Sequence, residues 1–291
     1  MNNTSIPSHL YFGGGAIQGM SYIGLIEYIY LENMMSNITH IAGTSIGAYF
    51  GMILALQIPF DYINIEIEKI AKKVREYIGI RYNNLSNLYF KYGVLSLDFF
   101  IEPIQRYLKN KYNIDDISFS EFANKTGIML YVNTMNINTG CNKIFSTENT
   151  PNLSVLSAIK ASMSLPLLFQ PVLIDGEYYI DPIISDYSVY DNIDPKYVLN
   201  IDIKNENKFK KETSFSFSGY INRIKDIILC LIFKNKQSPK NTFYISNLHY
   251  DSSMRFKHSY KDIYLDLTYD DINKMQNKAF NDFKMYMNER N

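Results

Sequence analysis

Tryptophan is absent from this 291-residue chain, and cysteine occurs only twice, as Cys141 and Cys230. Two cysteines without paired spacing exclude a disulfide framework and a thiolate zinc site, and they fit a reducing, cytoplasmic compartment. Net charge is also lacking: Lys and Arg number 29 and Asp and Glu 29, so bulk charge gives no reason to expect nucleic acid as a partner. No apolar run approaches the roughly 20 residues needed to cross a bilayer. The first nine residues are polar and hold no signal-peptide core. Histidine, the usual base of serine hydrolases, occurs four times. What the chain does have is apolar bulk: 46% hydrophobic residues, with 25 Tyr and 18 Phe, enough for one large α/β domain. Its abundance of Asn, Ile, Lys and Tyr points to an AT-rich genome, as in some viruses and intracellular bacteria.

Against that background one stretch stands out, Ile41-Ala-Gly-Thr-Ser-Ile-Gly-Ala48. It sets Ser45 in a G-x-S-x-G pentapeptide between an apolar strand and a small-residue helix. A strand, a sharp turn and a helix hold a serine hydroxyl clear of its backbone, at the positive end of the helix. A pentapeptide this short also arises by chance, so its context carries weight.

Upstream, Leu10-Tyr-Phe-Gly-Gly-Gly-Ala-Ile-Gln-Gly19 runs a short strand into a glycine-rich turn ahead of a helix. Such a turn lets backbone N–H groups converge on an anion or an oxyanion; it also serves as a plain strand-to-helix connection. A nucleotide site lacks support, because neither the P-loop nor the G-x-G-x-x-G pattern with its ribose-binding acid is present. Downstream, Ala158–Val172 is followed by Ile174-Asp-Gly-Glu-Tyr-Tyr-Ile-Asp-Pro182. Asp175-Gly176 reads as a hairpin turn, which places Asp181 at the end of the returning strand Tyr178–Ile180. There the carboxylate is either a base for a neighbouring serine or a solvated loop residue.

In this order the three blocks resemble the patatin-like phospholipases. The resemblance rests on the glycine loop, the G-x-S-x-G, the segment Ala161-Ser-Met-Ser-Leu-Pro-Leu-Leu-Phe-Gln-Pro171 and the hairpin ending in Asp181. It implies a three-layer α/β fold with a central, mostly parallel sheet flanked by helices. It also implies a lipid acyl hydrolase that uses a Ser–Asp dyad without histidine, cofactor or metal. Carried over by position, Ser45 is the nucleophile and Asp181 the base. Gly14, Gly15 and Ala16, with the N–H of Ile46, form the oxyanion hole. Two departures stand in this chain. Ala16 and Gln18 occupy places where the family usually has a third glycine and a basic residue; the alanine is cheap if its φ stays negative. Asp181-Pro182-Ile183 replaces the usual D-G-G or D-G-A. The substrate implied is a phospholipid or another acyl-ester lipid. Acyl transfer by the same serine, and a catalytically silent lipid-binding or scaffold role, are the alternatives.

The remaining segments fill a single expected domain over residues 1–291. Residues 75–115 form an aromatic-rich insertion, either a cap packed on the core or a wall of the acyl-chain pocket. Residues 204–240 combine a polar loop with an apolar helix, Ile227–Phe233, bounded by Arg223, Lys225, Lys234 and Lys236. That helix is either core or a peripheral membrane contact. His9 and His40 open strands and are expected at the end of the sheet remote from Ser45. His249 and His258 follow Asp181 in the α/β-hydrolase order but have no flanking motif.

Overall fold

The computed structural model describes residues 6–78, 85–182, 189–190, 193–204, 223, 241–246, 255–256, 263–264 and 268–290. The expected helix Ile227–Phe233, His249, His258, Cys230 and Ile183 lie outside these residues.

Elements alternate from the N-terminus: β1 (His9–Phe12), α1 (Tyr22–Leu31), β2 (His40–Thr44), α2 (Ile46–Ala55), α3 (Phe60–Ile78), α4 (Leu85–Lys91), β3 (Gly93–Leu95), α5 (Asp98–Tyr112), α6 (Phe119–Thr126), β4 (Met129–Asn136) and β5 (Cys141–Ser146). Then follow α7 (Val155–Ser162), β6 (Leu167–Phe169), β7 (Val172–Ile174), β8 (Glu177–Ile180), β9 (Val198–Lys204), β10 (Thr242–Ser246), β11 (Arg255–Phe256), β12 (Ile263–Tyr264) and α8 (Tyr269–Glu289). The main sheet runs β10-β9-β1-β2-β4-β8-β7, with β5 also on β4. The pairs from β10 to β4 are parallel, whereas β5, β8 and β7 join antiparallel. With its flanking helices this is a three-layer α/β fold.

Alternation along the strands divides the packing. Leu10, Phe12, Ile41, Leu130, Val132, Leu199 and Ile201 belong to the main core, into which α1, α2 and α8 send Tyr22, Phe50 and Phe283. The intervening positions Tyr11 and Ala42 form a smaller cluster with Val198 and Tyr190 on the opposite face. On α8 the apolar stripe of Ile272, Met275, Ala279 and Phe283 is buried, and Tyr286 on the same stripe is half-buried. Its N-terminus is a capping box, Thr268 and Asp271 bonding reciprocally.

Two local expectations change. The helix expected after the glycine-rich turn starts as a 3-10 turn, Ala16–Ser21, and becomes α-helical at Tyr22. The 75–115 insertion divides: Phe99 and Phe100 enter the core, while Tyr89, Phe90 and Tyr92 are exposed.

Candidate active site

The strand register alone brings Ser45 and Asp181 to one place. Thr44 at the end of β2 pairs with Asn133 of β4, so the next residue, Ser45, falls beside Thr134. From the other side, Ile180 at the end of the antiparallel β8 pairs with Met135, so Asp181 also falls beside Thr134. The two residues therefore flank one position of β4, about 10 Å apart across two strand spacings. Their side chains face one another across that gap, and the Ser45 hydroxyl acts on the Asp181 carboxyl to lower its pKa against the effect of burial.

Each residue is held in its own way. Ser45 sits at φ 55, ψ −131 as the N-cap of α2, a conformation that L-residues avoid and that costs on the order of 1–3 kcal/mol. The turn is possible because Gly47 has no side chain: a Cβ there would stand 2.3 Å from the carbonyl oxygen of Gly13 and 2.4 Å from that of Phe12. The Ser45 N–H donates to Ser162 Oγ at 2.8 Å, and that hydroxyl donates to the Asn133 carbonyl at 2.6 Å. A clamp from α7 and β4 thus fixes the strained residue. Asp181 is buried, and its N–H donates to the Ser164 carbonyl at 3.0 Å. Pro182 is also buried, but it lies beyond that bond, so its missing N–H leaves the anchorage of Asp181 intact. Ser162 and Ser164 both belong to the Ala161–Pro171 segment. The motif order places that segment but assigns neither serine a role.

Burial pushes the Asp181 carboxyl up from 3.8 to about 7, and the Ser45 hydroxyl opposes the shift only in part. A carboxylate raised in this way is a far better proton acceptor at neutral pH than an exposed one. Asp175 has no such environment. It is exposed at φ 50, and with Gly176 at φ 83 it makes the turn between β7 and β8, as the two-residue hairpin requires.

The glycine loop lies against the serine. A Cβ on Gly14 would lie 3.7 Å from Ser45 Cβ and 3.6 Å from Thr44 Cγ2. Gly13 continues the β1–β9 ladder by donating to the Ile201 carbonyl at 2.9 Å, and its own carbonyl accepts from Tyr22 at 2.8 Å. Gly15 caps the 3-10 turn that begins at Ala16. The condition for a cheap alanine is not met: Ala16 stands at φ 45, which costs roughly 1–2 kcal/mol that glycine would not incur. Ile46 opens α2, where the first backbone N–H groups have no partner within the helix.

Two of the histidines stand apart. His9 and His40 pair across β1 and β2 at the strand starts, the end of the sheet opposite Ser45. Their rings stack at 4.2 Å. Among the described residues no group of three or more His, Cys, Asp or Glu could hold a metal ion, and no helix is long and apolar enough to cross a membrane.

The fold agrees with that of known proteins. Among curated sequences, the chain is 28% identical over 211 residues to a probable lipid hydrolase of Invertebrate iridescent virus 6. It is 29% identical over 177 residues to an uncharacterized protein of Acanthamoeba polyphaga mimivirus, and 29% over 173 residues to a lysophospholipase of the yeast Kluyveromyces lactis. These matches take in 70%, 60% and 59% of this chain. They span 66% of the iridescent-virus protein, 57% of the mimivirus protein and 10% of the yeast protein. The fold is similar to that of VipD from Legionella pneumophila, with a TM-score of 0.55 at 15% identity over 98% of this chain and 68% of that one. It is also similar to ExoU of Pseudomonas aeruginosa in its complex with SpcU, with a TM-score of 0.52 at 13% identity over 98% of this chain and 52% of that one. The family profile described as patatin-like phospholipase matches residues 10–186, from the glycine loop to beyond Asp181, and the chain belongs to that family.

Proposed function

We propose that this member of a lipid-hydrolase family cleaves acyl esters of phospholipids or lysophospholipids through a Ser45–Asp181 dyad. The observation that carries the reading is the strand register that sets a strained, partly exposed serine beside a buried carboxylate, whose pKa burial raises to about 7. Ser45 Oγ attacks the ester carbonyl as its proton passes to Asp181. The carbonyl oxygen becomes an oxyanion, held by N–H groups of Gly14, Gly15, Ala16 and Ile46. Collapse of this intermediate breaks the ester bond, and the departing alkoxide takes the proton back from Asp181. Water, deprotonated by the same carboxylate, then cleaves the acyl-serine and releases a fatty acid. Every proton is handled by Asp181, so the scheme needs neither histidine nor metal.

The test is labelling by a fluorophosphonate probe, followed by turnover of a phospholipid and of a soluble short-chain ester. Ser45→Ala should lose labelling and about 10⁶-fold in turnover, as removal of a nucleophilic serine does. Asp181→Asn should be nearly as damaging, and Asp175→Asn close to neutral. Near-normal hydrolysis by folded Ser45→Ala, or the reverse ranking of the two aspartates, would refute the assignment.

A further inference from the structure

Six large side chains that the core does not use lie together on one surface. Tyr89, Phe90 and Tyr92 are 80%, 74% and 61% exposed, Leu167 69%, Leu173 59% and Tyr178 37%. They fall in two groups, joined along the chain by Lys91. The rings of Tyr89 and Phe90 meet at 5.1 Å on α4, and Tyr92 packs edge-on against Tyr178 at 6.0 Å. Leu173 is the cross-strand partner of Tyr178, and Leu167 pairs with Gly93, next to Tyr92. We infer that this surface is a docking face for a lipid bilayer or micelle, seating the mouth of the site on the lipid; the inference rests on reading that site as an acyl-ester hydrolase.

Three observations single out lipid as the occupant. The first is continuity with the site. Tyr178 precedes Asp181 by three residues, about 10 Å along a strand, and Leu167 follows by three residues the Ser164 whose carbonyl anchors Asp181. The second is charge. Between Leu85 and Leu97 the chain carries one charge, the basic Lys91, and between Lys160 and Asp175 it carries none. Glu177, the nearest strand carboxylate, alternates to the other face of β8 from Tyr178. There it accepts from Asn136 Nδ2 at 2.6 Å and from the Tyr179 hydroxyl at 3.0 Å. The third is strain. Leu167 presents its side chain to the outside from φ 69, a backbone region disfavoured for a leucine, so neither local geometry nor core packing accounts for it. Tyrosine and phenylalanine beside leucine, with Lys91 among them and the exposed Asp175 out at the β7–β8 turn, form the pattern of a surface that inserts shallowly among lipid headgroups.

The experiment is co-sedimentation of the full chain with vesicles of phosphatidylcholine, and of phosphatidylcholine mixed with phosphatidylserine. Each variant is also assayed for short-chain ester hydrolysis and thermal stability. Tyr89→Ser/Phe90→Ser should lower vesicle partitioning at least about tenfold, as expected for two large apolar side chains withdrawn from a lipid surface, while hydrolysis of the soluble ester stays unchanged. Leu167→Gly relieves the positive φ, so it should bind vesicles more weakly while melting no lower than wild type. Opposite signs for binding and stability cannot come from unfolding. Ser45→Ala should bind vesicles as wild type does, which separates docking from chemistry. Unchanged partitioning of both patch variants would overturn the docking face while leaving the hydrolase reading standing. So would a wild-type chain that hydrolyses short esters but ignores vesicles, or self-association that the same variants abolish.

Discussion

Asp181 shows how much a single residue's setting decides. A carboxylate with an ordinary pKa near 3.8 would be a poor base at neutral pH; burial brings this one to about 7. Activity should therefore rise with pH as the carboxyl ionises, with a one-proton midpoint near 7 in kcat/KM. The midpoint should persist when all four histidines are replaced, and its disappearance in that variant would assign the titration to an imidazole. Raising the pKa has a cost in stability. The folded state keeps a proton that the unfolded chain releases above pH 3.8, so this contribution is fully present below 3.8 and is lost as pH climbs through about 7. About three pKa units correspond to a loss on the order of 4 kcal/mol. Asp181→Asn should remove that penalty: little change in stability in acid, a clear gain at alkaline pH, and activity lost at both. Chemical denaturation at the two pH values measures the difference, and an equal effect at both would exclude a buried ionising carboxyl. Ser45 and Asp181 are legible in the sequence because their signals are local, a pentapeptide and a hairpin. Ser162 is not, since its role depends on a contact with a residue 117 positions away.

Among the elements, the elbow depends on that contact. Ser162→Ala would leave the Ser45 N–H without its acceptor, at a cost of about 1–3 kcal/mol. Turnover should fall roughly tenfold or more as the strained serine relaxes, with KM little changed. Ser164→Ala should do less, because Asp181 uses that residue's carbonyl and not its hydroxyl. Equal effects would show that the clamp positions nothing. At the other end of the same strands, His9 and His40 stack face to face. Both pKa values are lowered, first by burial; for His9 the facing His40 adds to this and a backbone bond to Tyr197 opposes it, and for His40 Glu148 opposes it. Folding therefore disfavours their protons. The stability they confer is present above pH 6.5 and is lost as pH falls through the lowered values. His9→Phe keeps a ring in the stack and removes one charge, so its melting temperature should fall less between neutral and mildly acidic pH than that of wild type. The alternation of strands and helices, the β7–β8 turn and the α8 cap follow from patterns a few residues long. The 3-10 turn at Ala16–Ser21 and the positive φ of Ala16 do not, because they are imposed by what the loop packs against.

On the scale of the whole molecule, the family match and the folding unit differ. The match ends at residue 186, yet β1, which leads into the glycine loop, lies between β2 and β9, and β9 begins at Val198. The Gly13 N–H is held by the Ile201 carbonyl, so one margin of the loop belongs to a strand outside the matched region. The main core also takes in Leu199, Ile201, Ile203, Phe243, Ile245, Ile272, Met275, Ala279, Phe283 and Met287. At about 1.5 kcal/mol or more for each large apolar side chain, their loss is at least comparable to the roughly 5–15 kcal/mol by which a domain of ordinary stability stays folded. It would also leave β1 as an open sheet edge and bare the face of α1 where Tyr28 meets Phe280 and Phe283. A chain cut to residues 1–186 retains Ser45, Asp181 and every motif that identifies the family. It should nevertheless lack a cooperative thermal transition, bind a hydrophobic dye and fail to react with a fluorophosphonate. If that fragment melts cooperatively and labels at Ser45, the C-terminal third is an appendage and the glycine loop needs nothing from β9. If it does neither, while the full chain does both, the strands and helix beyond residue 186 are part of what makes Ser45 reactive.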